Sequence, residues 1–194
     1  RWIPLPVWDA IADESLTIDD LKTRCHNIWV GVDMGGRDDP SCMVALGYDD
    51  SAGVYLLWSR QWLHVDGYNR RRKFAPYDEF IDSGELVVFS SEGEDVDLML
   101  DSLHDIRELV ACVGYDPYHF RHVAKQLEAD GYVTKPVKQG VRMTPDILST
   151  ERAIYEGKIV HPGGPLLRWN FNNTTLVEVN QAVRLGKPAD TGRT

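Results

Sequence analysis

The sequence predicts an α/β fold: a mixed sheet that opens as an antiparallel meander, continues as alternating helices and strands, and carries helices on both faces. Three observations predict it. Three apolar runs lie close together and are separated by short turns rich in Gly and Asp. Beyond them, apolar positions at three-to-four spacing alternate with short buried-strand runs. The 194 residues, 43% hydrophobic and 26% charged, suffice for one domain with an attached arm and exclude a disordered or collagen-like chain.

Residues 1–27 read as the arm. Trp2, Pro4, Pro6 and Trp8 predict an extended opening whose tryptophans pack on a neighbouring surface, because Pro restricts itself and the residue before it. An acidic helical run over 9–14 follows. The main domain, 28–194, starts with Ile28-Trp29-Val30-Gly31-Val32-Asp33, a buried-strand pattern ending in a carboxylate. Residues 35–40 turn the chain, 42–48 return it, and 54–58 supply a third strand. A polar stretch with the basic knot Arg70-Arg71-Arg72-Lys73 leads to a short helix over 77–83, stopped by Gly84, and a short strand over 85–90. The spacing of Leu98, Leu100, Leu103, Ile106 and Leu109 predicts an amphipathic helix over 95–110. Residues 111–116 form another buried strand ending in a carboxylate. A helix over 118–130 closes on Gly131, and a strand over 132–137, a helix over 144–156 and a strand over 158–161 complete the pattern.

Asp plus Glu outnumber Lys plus Arg by 30 to 21, a net charge of −9, which disfavours wholesale attraction to phosphate or to an anionic membrane. A chain can still gather carboxylates at one place and cations on a separate face. No apolar run approaches the roughly 20 residues of a membrane span. Cys25, Cys42 and Cys112 are odd in number and widely spaced, which argues against a disulfide framework or a Cys-based zinc site and for reduced thiols in a cytosolic compartment. No signal-peptide pattern opens the chain. It begins at Arg1 without Met, stops at Thr194 in a polar stretch, and reads as a piece of something longer.

Asp33 and Asp116 carry the chemistry. Each ends a buried-strand run and is followed by a Gly or Pro turn. A carboxylate at such a place is costly unless it is paired, solvated or bound to a metal. Two strand ends side by side would bring their carboxylates together, and the mutual repulsion is relieved by a divalent cation with oxygen ligands, Mg²⁺ or Mn²⁺. Two such ions about 3.5 to 4 Å apart support phosphodiester cleavage. Turn-capping is the plainer role for the same two residues.

These residues sit in a pattern that resembles the C-terminal nuclease domain of the large terminase subunit of tailed bacteriophages. The resemblance spans nearly the whole chain. It is carried by Gly31-Val-Asp33-Met-Gly-Gly-Arg-Asp-Asp39, Pro76-Tyr77 through Gly84-Glu-Leu-Val-Val, and Gly114-Tyr115-Asp116-Pro117-Tyr118. It continues through Val137-Lys-Gln139-Gly140, Met143-Thr-Pro145, Glu156-Gly157 to His161, and Pro165-Leu-Leu-Arg168-Trp169-Asn170 with Asn173. It implies a ribonuclease H-like sheet and a Mg²⁺- or Mn²⁺-dependent endonuclease with two ions, acting on double-stranded DNA during viral packaging. Asp33 and Asp116 match the first- and fourth-strand metal ligands. A third acidic ligand, on a last helix, would lie past Thr194. Asp190 is the only late acidic residue near the place. The Trp-rich arm resembles the linker from an ATPase domain, whose phosphate loop GxxxxGK[ST] does not occur in this chain. The implied partners are that ATPase domain, the viral portal and the small terminase subunit, in the host cytoplasm and transiently at the procapsid portal, with no membrane.

Other polar residues have weaker claims. Asp39, in the first hairpin turn, fits either a place behind the ligands or a turn cap before Pro40, and His161 fits a packed histidine or a supporting role. Asp146 and Glu151 fit a solvated helix face. The segment 121–142 holds Arg121, Lys125, Lys135, Lys138 and Arg142 against Glu128 and Asp130, with His119 and His122 alongside, a local +3. With the Gln139 amide and Gly140 backbone it suits phosphate contact without sequence readout. Residues 70–73 are a second candidate. Two alternatives stand at this point: Gly31-Val-Asp33-Met-Gly-Gly as the phosphate loop of an actin- or sugar-kinase-like ATPase, or a non-catalytic docking module of a packaging motor.

Overall fold

Strand β1 (Ile28–Asp33) buries Ile28, Val30 and Val32 and exposes Trp29, Gly31 and Asp33, the alternation of a strand with one apolar face. The computed structural model describes residues 1–118 and 120–187. β1 pairs antiparallel with β2 (Ser41–Asp49), and β2 pairs antiparallel with β3 (Val54–His64), forming the predicted meander. β4 (Leu86–Phe89) runs parallel to β3, β5 (Val110–Tyr115) parallel to β1, and β6 (Thr134–Pro136) parallel to β5. The sheet order is β4-β3-β2-β1-β5-β6, and β7 (Ile159–Val160) pairs with the start of β3. β8 (Thr175–Val179) and β9 (Ala182–Gly186) form a separate hairpin, turned by Asn180 and Gln181 at φ 47° and 68°.

Helices cover both faces, as predicted. In chain order they are α1 (Leu5–Asp9), α2 (Ile18–Arg24), α3 (Val65–Arg71), α4 (Tyr77–Asp82), α5 (Glu94–Asp105), α6 (Arg121–Ala129), α7 (Thr144–Tyr155) and α8 (Pro165–Asn172). On one face α2, α5 and α6 bring Leu21, Met99, Leu103, Val123 and Leu127 onto Ile28, Val30, Val32, Met43 and Ala45. The opposite face carries two smaller cores. Ile3, Trp8, Ile154, Ile159 and Leu167 join α1, α7 and α8, while Leu63, Phe80, Leu86 and Leu166 join α4 and α8. Glu85 ties the second core together: its carboxylate accepts the Leu166 and Leu167 N–H groups at 2.8 and 3.2 Å, at the positive end of α8.

The structure corrects several local expectations. The opening is not extended, because Pro6 sits in the first turn of α1, where a missing N–H breaks no helical bond. Of the run over 9–14 only Asp9, the last residue of α1, is helical. β3 continues six residues past the predicted end. The polar stretch around the basic knot is helix α3. The helix expected to reach residue 110 stops at Asp105, and a 3₁₀ turn, Arg107–Leu109, feeds β5.

Residues 1–27 pack on the domain through their tryptophans. Trp2 Nε1 donates to Glu151 at 2.8 Å. Trp8 is 1% exposed and stacks on His161 and Phe171, with ring centroids 3.8 and 3.4 Å away. His161 Nδ1 accepts the Gly163 N–H at 3.0 Å, so Nε2 carries the proton and donates to the Trp8 carbonyl at 2.9 Å. Burial holds the His161 pKa below its usual value. Trp8→Ala is expected to cost about 3–5 kcal/mol in urea unfolding. Trp8→Phe should cost far less, because the indole N–H has no partner among the described residues. A depressed histidine pKa stabilises the fold above the unfolded value of about 6.5 and loses that contribution as pH falls. The urea midpoint should therefore drop between pH 7 and 5 more steeply in the parent than in His161→Gln.

Candidate functional site

β1 and β5 run parallel with Gly31 beside Gly114 and Val32 beside Tyr115. The next residue of each chain segment is Asp33 and Asp116, so both carboxylates emerge at the same edge from strands about 4.8 Å apart. Both line one cavity of about 350 Å³. Gly31 and Gly114 form part of its lining, and Val44, Val137, Met143 and Ile147 make it apolar. Asp33 is exposed and Asp116 half-buried. Asp116 Oδ1 accepts the Tyr118 N–H at 2.9 Å, an Asx-type turn that fixes the carboxylate. Its Oδ2 has no hydrogen-bond partner among the described residues. Directly across from Asp33 on β2 is Cys42, whose thiol is pushed up to about 12 by burial first and by the Asp33 charge second. It is a neutral thiol at pH 7.

The loop after Asp33 is held on several sides. A Cβ at Gly35 would lie 2.0 Å from the Asp39 carbonyl oxygen, so only glycine fits. The Gly35 N–H donates to Ser41 Oγ at 3.0 Å, and Ser41 donates to Asp95 on α5 at 2.6 Å. Arg70 and Arg71 reach Asp38 and Asp39 at 2.6 and 3.1 Å, and Arg37 reaches Asp66 at 3.2 Å. Helix α3 approaches this closely because Gly67 has no side chain: a Cβ there would sit 2.4 Å from the Arg37 carbonyl oxygen.

The structure thus brings Asp33 and Asp116 together and disperses the other candidates. Asp39 borders a larger cleft of about 880 Å³ that also begins at Asp33, but its carboxylate is paired with Arg71. His161 is buried against Trp8 and borders neither space. Asp190 and His119 lie outside the described residues. Arg121, Lys125, Lys135, Lys138 and Arg142 are exposed, with no carboxylate within 4 Å among the described residues, and Gln139 and Gly140 border the smaller cavity. Arg70, Arg71 and Arg72, in contrast, all face carboxylates. Among the described residues no group of three His, Cys, Asp or Glu is placed to hold a metal. The oxygen-only pair Asp33 and Asp116 fits a hard divalent cation that keeps waters or substrate oxygens as its other ligands. Sequence reasoning attached no chemistry to Gln61, which lies in line with Asp33 in the sheet, and no role to Trp169, Asn170 and Asn173, which line the larger cleft.

A meander continued by parallel strands, with two carboxylates at adjacent strand ends, is the arrangement of a ribonuclease H-like domain. The model of the terminase large subunit endonuclease domain matches residues 2–194, and the chain belongs to that family. The match sets it with nucleases rather than actin-like ATPases. It is 27% identical over 196 residues to the terminase large subunit of Lactococcus phage SK1, covering 92% of this chain and 33% of that protein. Among solved structures it is similar to the HK97 bacteriophage large terminase, with TM-score 0.80 and 20% identity over 95% of this chain and 39% of that one. It is also similar to the large terminase nuclease of thermophilic phage G20c with bound magnesium, with TM-score 0.51 and 16% identity over 87% and 74%. At these identities the solved structures speak to the fold. The chain spans about a third of the length of the curated relatives it matches. Among the described residues, no helix is long and apolar enough to cross a membrane.

Proposed function

We propose that this domain is a divalent-metal-dependent DNA endonuclease that cuts concatemeric phage DNA during packaging. The observation that supports it most is the pair of carboxylates, Asp33 and Asp116, at adjacent ends of parallel strands in one cavity. They are the residues to hold Mg²⁺ or Mn²⁺, with two ions expected, and Asp190 is the remaining acidic candidate. When bound, such ions supply an activated water and stabilise the departing 3′ oxygen in phosphodiester hydrolysis. The G20c nuclease structure with bound magnesium supports this choice.

The protein's own groups prepare the site. The Tyr118 N–H fixes Asp116, the Gly35-Ser41-Asp95 chain fixes the backbone after Asp33, and the neutral Cys42 thiol adds no third negative charge. Arg121, Lys125, Lys135, Lys138 and Arg142, with Gln139, are the residues to contact phosphates of double-stranded DNA. Residues 1–27 are the connection to an ATPase domain, and the portal and small terminase subunit are the partners, in the bacterial cytoplasm and at the procapsid.

Plasmid nicking should require Mg²⁺ or Mn²⁺, stop in EDTA, and fall by roughly 100-fold or more in Asp33→Asn and in Asp116→Asn, since even outer partners of metal ligands contribute 10- to 100-fold. Equal cleavage by parent and variants refutes the assignment. Lys135→Ala combined with Lys138→Ala should weaken duplex binding and flatten the slope of log Kd against log salt by about 1 to 2. An unchanged slope places the phosphate contacts elsewhere.

A further inference from the structure

The face of the sheet that carries Asp33 continues into a second polar surface. Asp33 on β1, Cys42 on β2 and Gln61 on β3 are in register across three strands, and directly opposed residues project to the same side. Gln61 is only 5% exposed, yet its side-chain amide has no hydrogen-bond partner among the described residues. Its amide atoms are not fully shut off from solvent, so they are open to a ligand in the space they border. It borders the 880 Å³ cleft that starts at Asp33.

Helix α8 and the residue that ends it form the opposite wall. Trp169, Asn170 and Asn173 all line the cleft. Trp169 is 38% exposed, and its ring lies 6.0 Å from that of buried Phe80, against which it is tilted. The Asn170 and Asn173 side-chain amides, both half-buried, also have no partner among the described residues. Among the described residues Lys187, at the rim, has no carboxylate within 4 Å, while Arg71 in the same cleft is neutralised by Asp39.

We infer that this cleft seats an unstacked nucleotide of a single DNA strand, next to the phosphate presented to Asp33 and Asp116. Its base lies on Trp169, the amides of Gln61, Asn170 and Asn173 bond to its edge and sugar, and Lys187 meets its phosphate. The chemistry selects the ligand class. Amides both donate and accept, as base edges do, and an accessible aromatic face beside them suits base stacking. With one unpaired cation among the described residues, the cleft is poorly suited to hold a duplex backbone by charge. It lies on the other side of Asp33 from Gln139 and Gly140, so the strand passes over the carboxylates between the two surfaces. The inference rests on the endonuclease reading of Asp33 and Asp116.

The test is fluorescence anisotropy with a labelled 12-nucleotide single strand and a labelled duplex, in EDTA. Trp169→Ala should weaken single-strand binding by roughly tenfold with its salt slope unchanged, while Trp169→Phe, which keeps a ring, stays within about threefold. Gln61→Leu should weaken it by a smaller factor. Duplex binding should change little in all three. Ultraviolet crosslinking of a strand containing 5-iododeoxyuridine to the parent should map to 165–173, a readout that holds even where a variant fails to fold. Single-strand binding by a folded Trp169→Ala that matches the parent, or crosslinks mapping elsewhere, overturns the inference. Cleavage in Mg²⁺ separates the two readings. A parent that nicks while Trp169→Ala binds normally sinks only the strand site, and a parent that never nicks while Trp169→Ala loses binding sinks only the endonuclease.

Discussion

The parallel pairing of β1 with β5 is the constraint on which the rest depends. It puts the C-terminal ends of two strands, more than eighty residues apart in sequence, at one edge of the sheet. Because side chains alternate, a slip of one residue in either strand would turn its aspartate toward the packed face. The register is therefore set by the core: Ile28, Val30 and Val32 from one strand and Val113 and Tyr115 from the other all lie in the same apolar layer with Met99, Leu103 and Leu127. The site is precise because the opposite face of the same strands is packed, and the side-by-side glycines Gly31 and Gly114 keep the open face clear.

The loop after Asp33 is held by geometry more than by charge. Its Arg–Asp pairs are exposed, and pairs of that kind contribute about 0–1 kcal/mol each. The stronger constraints are the close approaches at Gly35 and Gly67 and the relay from Gly35 N–H through Ser41 to Asp95. Ser41 is 2% exposed, so losing either neighbour would leave a buried hydroxyl poorly satisfied. Helix α5, whose apolar side fills the core, thus also braces the loop through a carboxylate in its first turn.

Most of the sheet was legible in the sequence because its strands are short apolar runs punctuated by Gly and Asp, and the crossover helices have clear periodicity. What escaped had opposing signals. Helix α3 contains a glycine and ends in two arginines, so composition suggested a loop; its first turn is capped by the His64 side chain, which accepts the Asp66 N–H, and Gly67 lets it lie against the Arg37 backbone. Helix α8 opens on Pro165 after two glycines, and its capping group, Glu85, is eighty residues away in the chain. Asp33 and Asp116 stood out as candidates because each ends an apolar run at a Gly or Pro turn, a pattern that turn-capping also produces. It is the pairing of β1 with β5 that sets them side by side. Gln61 did not stand out: one glutamine in a long strand has meaning only once Cys42 and Asp33 lie in line with it. His161 was open to two readings, a packed histidine or a supporting role, and in the structure it packs against an indole.

The charge balance has a structural consequence. A chain of net −9 cannot hold a polyanion over its whole surface, so any grip has to be local. Two kinds of local surface flank Asp33. On one side, Lys138 and Arg142, without carboxylate partners among the described residues, flank the Gln139-Gly140 turn in sequence, suited to backbone phosphates of any sequence. On the other, amides and an indole line a cleft with little net charge, suited to bases that a duplex keeps stacked inside. The arginines near the loop do not alter this division, because each already faces an aspartate. On the proposed reading, an acidic protein would act on DNA by setting a charged contact and an uncharged one on either side of two carboxylates, leaving the negative charge between them for the ions to neutralise.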